Sequence, residues 1–198
     1  GGTHDATTAL DAHLVGVASI ALDHTKVLGE SLSAIARDKA GAIRQGRPVF
    51  SAPQQPEAMA ELRRAAEEQQ AHLVQTSPLG EDHTLGLAGE HQRINAGLAT
   101  KLWEEVAGLL KLDADPGAIS LGLRETFVPG RLQWVAANPG LHPDLILDAA
   151  HNPHGLDGLA RHLKTLPEPP GCVLFACMAD KDVEGMLSRL PSLTPGPI

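Results

Sequence analysis

No apolar stretch in this chain of 198 residues approaches the ~20 residues that span a bilayer. A membrane span is therefore not expected. The opening residues, GGTHDATTAL, carry no basic segment followed by an apolar run, so they do not form a secretory signal. Basic residues are scarce as well. Against 24 Asp and Glu stand 16 Lys and Arg, a net charge of -8, which disfavours a surface built to neutralise nucleic-acid phosphates. The only two cysteines, Cys172 and Cys177, fall in one apolar run, CVLFAC. There they fit a buried strand as small hydrophobes better than they fit a disulfide. No internal repeat or low-complexity tract occurs. These absences leave a soluble, cytoplasmic protein whose partners are small molecules rather than nucleic acid or membrane.

What is present suits a globular α/β protein. Hydrophobic residues make up 42% of the chain and charged residues 20%, enough for a core in one or two domains. Short β-rich runs alternate with longer segments of helical period. LVGVASIAL, from Leu14 to Leu22, is continuously apolar, as expected of a buried parallel strand. ESLSAIARDKAGAI follows as helix with Leu32, Ile35 and Ala36 on one face, then PVFSA as strand, PEAMAELRRAAEEQQ as helix and HLVQ as strand. From Gln92 to Leu110, the residues Ile94, Leu98, Leu102, Val106 and Leu109 fall on one stripe of a long amphipathic helix.

The segment DADPGAISLGLRETFVPGR concentrates Pro, Gly and Asp, which places a boundary near Leu123 between domains 1–123 and 124–198. Beyond it LQWVA and DLILDA are expected as strands. GLDGLARHLKTL is expected as a helix with Leu156, Leu159, Leu163 and Leu166 inward, CVLFACM as a strand and DVEGMLSRL as a helix. This order implies a parallel sheet with right-handed crossovers. The Pro-rich tail PSLTPGPI ends without completing a sheet, which suggests truncation.

In an open parallel sheet, ligands bind beyond the carboxyl ends of the strands. Three polar clusters take that place. Asp23, His24 and Thr25 follow LVGVASIAL, and are either a capping turn or a site where His24 orients a phosphate-bound metal. Asp148 to His154 follow LIL; Asp148 either satisfies backbone groups at a turn or, with His151, faces a ligand's hydroxyls and phosphates. His151 and His154 lack a third ligand at zinc spacing. Asp180, Lys181 and Asp182 follow VLFACM, with Asp182 near a helix N-cap. Two segments between elements join them: Pro129-Gly130-Arg131, a turn or a phosphate grip, and GEHQRINAG, where Asn95 either sits in a capped helix start or offers an amide to a nucleotide. Lys39, in ARDKAG, would ordinarily be a solvated helix lysine.

These clusters occur together, and in this order, in one family. SIALDHTKVLGESLSAIARDKAGAI, GEHQRINAGLA, PGRLQ, LDAAHNPHG and MADKD resemble successive segments of dihydrofolate synthase/folylpolyglutamate synthase, a branch of the Mur ligase superfamily. The resemblance runs from Gly1 to about Leu190. It implies the carboxyl-terminal part of a central ATPase-type parallel-sheet domain, then an incomplete Rossmann-like glutamate-ligase domain. It also implies ATP-dependent joining of L-glutamate to dihydropteroate or a folate through an acyl phosphate, with magnesium and ATP required, in a monomer.

Residue by residue, the resemblance gives His24 the role of magnesium ligand and Lys39 that of a carbamylated lysine near the metals. Asn95, Arg131, Asp148 and His151 take ATP-contacting positions, Asp148 on the ribose, Arg131 on phosphate and His151 beside the nucleotide, where with Lys39 it is expected to be catalytic. Asp5, in GGTHDATT, lies where the family holds the pterin-bearing substrate, although Thr3 and Thr8 depart from the family pattern. No G-x-x-x-x-G-K-[ST] loop occurs, although the family binds triphosphate through one. The expectation is that the chain begins partway through the ATPase domain and cannot turn over alone. The other readings are a different Mur-type amino-acid ligase and a non-catalytic nucleotide-binding module.

Overall fold

The computed structural model describes residues 2, 6–22 and 28–198, and for Ala6 and Thr7 the backbone only. The chain divides into two compact units. Unit 1 comprises Gly1–His83 and Arg93–Ile119, and unit 2 comprises Thr84–Gln92 and Ser120–Ile198.

Unit 1 is built on three parallel strands, β1 (Val15–Val17), β2 (Val49–Ser51) and β3 (Leu73–Gln75), in the order β1-β2-β3. Val15 pairs with Val49 and Val49 with Leu73. The long apolar run that begins at Leu14 pairs over only three residues, and Ile20 and Leu22 lie beyond the ladder. Helix α1 (Leu32–Ala40) starts at Ser31, whose hydroxyl accepts the Ala34 N–H at 3.2 Å. Helix α2 (Pro56–Glu68) starts with proline at its first turn, where a missing N–H costs nothing. Ala58, Met59, Leu62 and Ala66 recur at helical spacing on its buried face. Leu62 is fully buried against Val15, Val17, Ile43 and Val49, a contribution of about 2 kcal/mol.

The long helix α3 (Glu90–Leu110) supplies a second layer. Its Ile94, Leu98 and Leu102 pack with Phe50, Ala52 and Val74, while Leu109 is 59% exposed. The expected stripe therefore buries its first part only. Glycine permits two close approaches here: a Cβ on Gly16 would stand 2.6 Å from Leu102 Cδ1, and one on Gly97 would collide with the Ser77 carbonyl.

In unit 2, β4 (Gln133–Val135) pairs with β5 (Leu145–Leu147) in antiparallel register, Trp134 opposite Ile146. This corrects the expected parallel pairing, and the reason is length. Residues 136–144 are too few for a crossover, and they turn back on themselves with Asn138 and His142 bridged. CVLFACM forms no ladder, another correction. It still alternates, with Val173, Phe175 and Cys177 against the core and Leu174 fully exposed. Both cysteines are free, and Cys172 is exposed rather than buried.

Helix α5 (Pro153–Leu163) buries Leu156, Ala160 and Leu163 with Met186 from the short helix α6 (Val183–Leu187). Leu159 and Leu166 pack against the same cluster. One further helix, α4 (Pro116–Glu125), lies where the sequence suggested only a Pro- and Gly-rich connection. Asp115 caps it by accepting the Gly117 and Ala118 N–H groups at 3.0 and 3.2 Å.

Candidate functional site

The turn after β5 is organised by one carboxylate. Asp148 Oδ1 accepts the Ala150 N–H at 2.8 Å, and its Oδ2 accepts the Leu132 N–H at 2.9 Å. The second bond reaches the loop before β4. A return bond runs from the Ala149 N–H to the Gly130 carbonyl at 2.8 Å. Gly130 itself donates to Gln133 Oε1 at 3.0 Å. Two loops distant in sequence are thus locked side by side, and they carry Arg131, Asp148 and His151.

The backbone around Arg131 is unusual. Gly130 has φ +70° and Leu132 φ +48°, so a left-handed glycine and a left-handed leucine flank the arginine. Leucine enters that region only when its surroundings compensate, and here the Asp148 carboxylate holds its N–H while its side chain is buried. The effect is to leave Arg131 exposed at the loop tip.

Downstream of Asp148, the His151 Nδ1 lies 3.0 Å from the Ala149 carbonyl. In neutral imidazole that makes Nδ1 the donor and Nε2 the acceptor. Asn152 caps α5, its Oδ1 accepting the Gly155 N–H at 2.7 Å, and Pro153 follows in the first turn. The amino terminus of an 11-residue helix thereby begins beside the Asp148 turn, an arrangement that favours anionic groups.

A neighbour that the sequence did not single out is His91, at the start of α3. Gly89, with φ +100°, turns the chain into the helix so tightly that a Cβ there would stand 2.7 Å from His91 Cε1. The Gln92 amide lies 3.1 Å from His91 Nε2. Burial pushes the His91 pKa below its ordinary value; Asp148 opposes the shift, and Arg131, Arg161 and His162 reinforce it. The detectable signal in the sequence was the glycine directly before the capped helix.

The remaining candidates lie elsewhere. Lys39, on α1, has Nζ 3.7 Å from Asp38 Oδ2 and is half-buried. Asn95 is exposed on the second turn of α3. Both belong to unit 1, whereas Arg131, Asp148 and His151 belong to unit 2. Asp5 and His24, like Asp23 and Thr25, lie outside the described residues. Among the described residues no three His, Cys, Asp or Glu side chains gather as a metal-holding group. No helix of the described residues is long and apolar enough to cross a membrane.

No family model matches the chain. It is 31% identical to the dihydrofolate synthase/folylpolyglutamate synthase of Bacillus subtilis (strain 168), over 98% of this chain and 50% of that protein. It is 34% identical to the protein of the same name from Escherichia coli (strain K12), over 98% of this chain and 47% of that one. A solved FPGS-AMPPCP-folate complex matches with a TM-score of 0.84 at 25% identity, covering 99% of this chain and 52% of the other. The chain spans about half the length of the curated relatives it matches. Over that span its sequence and its α/β layout are similar to those of dihydrofolate synthase/folylpolyglutamate synthases.

Proposed function

We propose that this chain contributes to the ATP-dependent ligation of L-glutamate to dihydropteroate or a folylpolyglutamate. The observation that carries the reading is the locked pair of loops bearing Arg131 and Asp148. A guanidinium held at a strained loop tip suits a phosphate. Each Asp148 oxygen already accepts one N–H, and an ionised carboxylate offers about four acceptor sites, so capacity remains for a ribose hydroxyl. The ligands of solved relatives point the same way: AMPPCP and folate in one complex, DHPP and ADP in another, of E. coli FolC.

In the proposed reaction the γ-phosphoryl group of ATP passes to a carboxylate oxygen of the pterin-bearing substrate, releasing ADP. The amine nitrogen of glutamate then attacks the acyl carbon, phosphate leaves, and the nitrogen loses a proton. Both steps bring anions together, so the protein's task is cationic clamping and exclusion of water. Arg131 takes phosphate, Asp148 the ribose, and Asn95 and His151 the remainder of the nucleotide. Lys39 and His151 act at the reacting groups, and Asp5 lies with the pterin. Magnesium would supply charge neutralisation at the triphosphate, with His24, and Lys39 if carbamylated, assigned to hold it. A monomer working in the cytoplasm completes the reading.

The test has two arms. ADP is titrated into this chain and its Arg131→Ala variant, with about tenfold weaker binding expected from loss of one charge-assisted contact. Ligation is assayed with ATP, magnesium, L-glutamate and either dihydropteroate or tetrahydrofolate, in a protein of the relatives' full length that contains these residues. Ligation onto a cell-wall nucleotide precursor instead, or ADP binding indifferent to Arg131, overturns the proposal.

A further inference from the structure

Unit 2 contains a polar cavity made of residues that none of the nucleotide assignments uses. Its volume is about 90 Å3 and its lining is Glu90, His91, Gly158, Arg161, His162 and Thr165. Glu90 and His91 come from the first turn of α3, Gly158 and Arg161–His162 from α5, and Thr165 from just beyond its end.

The Arg161 guanidinium is not consumed by the fold. Among the described residues Arg161 has no hydrogen-bond or ion-pair partner. The carboxylate one turn before it, Asp157, is held by Arg189 Nε at 2.9 Å. Gly158 sits in the interior of α5, where glycine weakens a helix. A Cβ at that position would lie 3.7 Å from Arg161 Nη2, so glycine keeps a side chain from standing beside the guanidinium. His162 follows Arg161 on the last turn. His91 is close enough to both for their charges to depress its basicity. Glu90 is the one carboxylate in the lining, and at the amino terminus of a helix it is itself stabilised by the helix dipole. The Thr165 hydroxyl donates to the His162 carbonyl at 2.8 Å, so it brings an acceptor and no donor.

We propose that the cavity bounded by His91, Arg161, His162 and Gly158 is a binding site for a small oxyanion of the phosphate class. Arg161 supplies a forked pair of donors that fits two oxygens of a tetrahedral anion. The two imidazoles add N–H donors and, on protonation, charge. A cavity of about 90 Å3 is well above the ~10–15 Å3 of such space that one water needs, which leaves room for a small anion. The oxyanion can be free phosphate or a phosphoryl group carried by a nucleotide.

Proton NMR of the histidine Cε1–H signals, assigned through His91→Gln and His162→Gln, separates these cases on this chain. Sodium phosphate is titrated at constant ionic strength against sodium chloride, and ADP in a second series. Saturable shifts of the His91 and His162 signals are expected with phosphate and not with chloride, weakened at least tenfold in Arg161→Gln. The tighter of the phosphate and ADP series identifies the source. Gly158→Leu keeps a good helix former at the position and fills the space, and is expected to abolish the shifts while the circular dichroism spectrum is retained. Equal shifts with chloride, an undiminished response in both variants, or no saturable response to either ligand overturns the proposal. The site does not depend on the nucleotide reading: absence of ADP binding leaves the phosphate series as its own test.

Discussion

Asp148 and Leu132, sixteen residues apart, are joined by a 2.9 Å bond in which a carboxylate oxygen accepts a backbone N–H from a left-handed leucine. The same carboxylate holds Ala150 through its other oxygen. One side chain therefore sets the loop that presents Arg131 and the turn that leads to His151.

Removing that side chain leaves two backbone donors without partners in a half-buried turn. Each orphaned donor costs roughly 1–3 kcal/mol when water cannot replace the acceptor. Asp148→Ala is expected to lower the thermal midpoint of this chain and to release Leu132 from its left-handed conformation. Asp148→Asn, which keeps one acceptor oxygen, should lose about half as much. An unchanged midpoint for Asp148→Ala would show that solvent or a rearranged loop satisfies both groups.

Gly97 offers a test of packing in unit 1. Alanine favours a helix interior over glycine by about 1 kcal/mol, so a helix judged alone would gain. Here the added methyl meets the Ser77 carbonyl and comes within 3.2 Å of the Leu79 N. That backbone cannot yield freely, since the Leu79 N–H donates to the Arg93 carbonyl at 2.9 Å. Overpacking of this kind costs about 1–3 kcal/mol, so the net effect of Gly97→Ala is expected to be destabilising. Urea denaturation with a higher midpoint for the variant would contradict it.

The elements most legible in the sequence were those whose periodicity and burial agree. The face of Ile94, Leu98 and Leu102 announced α3, and Leu156 and Leu163 announced α5. Helix Pro116–Glu125 was hidden by its own Pro and Gly. Asp115-Pro116 is nevertheless a cap followed by a first-turn proline, a helix start signal that outweighs the composition. The antiparallel β4–β5 pair was missed because strand order was taken from alternation, although nine residues between strands forbid a crossover. At the candidate site, the apolar run before Asp148 marked a strand, and Asp148 does lie in the turn after β5. It had no means of finding the Leu132 partnership, because a left-handed leucine leaves no mark on composition. His91 escaped for a related reason: its neighbours Arg161 and His162 lie some seventy positions away and meet it only through the fold.

Glu61 provides a pH-dependent test on unit 1. Its carboxyl is held down to about 2 from an ordinary 4.5 by hydrogen bonds first from Arg37 on α1 and then from Arg64 on α2. The nearest pair, Arg37 Nη2 to Glu61 Oε1, is 2.7 Å. A depressed carboxyl means that the unfolded chain binds more protons than the folded one as acid is added. The associated stability is present above pH 4.5 and drains away as the pH falls toward 2. A carbon-detected NMR titration should place the Glu61 midpoint near the bottom of that window. Arg37→Ala should move it up toward 4.5, and a midpoint that stays put would assign the effect elsewhere.

His91 gives the opposite side chain with the same sign. Burial lowers its pKa below the usual 6.5, with Arg131, Arg161 and His162 adding to the shift and Asp148 partly offsetting it. The folded chain thus prefers the neutral imidazole, consistent with its Nε2 lying 3.1 Å from the Gln92 amide as an acceptor. On acidification the unfolded chain takes up a proton at 6.5 while the folded chain resists until a lower pH, so stability falls with pH through that interval and is full above it. His91→Gln removes the titrating group, and its unfolding midpoint should be less steeply pH-dependent just below pH 6.5 than that of the parent. Arg161→Gln withdraws one of the cations that hold His91 neutral, and should raise the His91 midpoint in an NMR titration. If the His91 midpoint in the parent lies at or above 6.5, desolvation and the neighbouring cations do not hold the imidazole neutral.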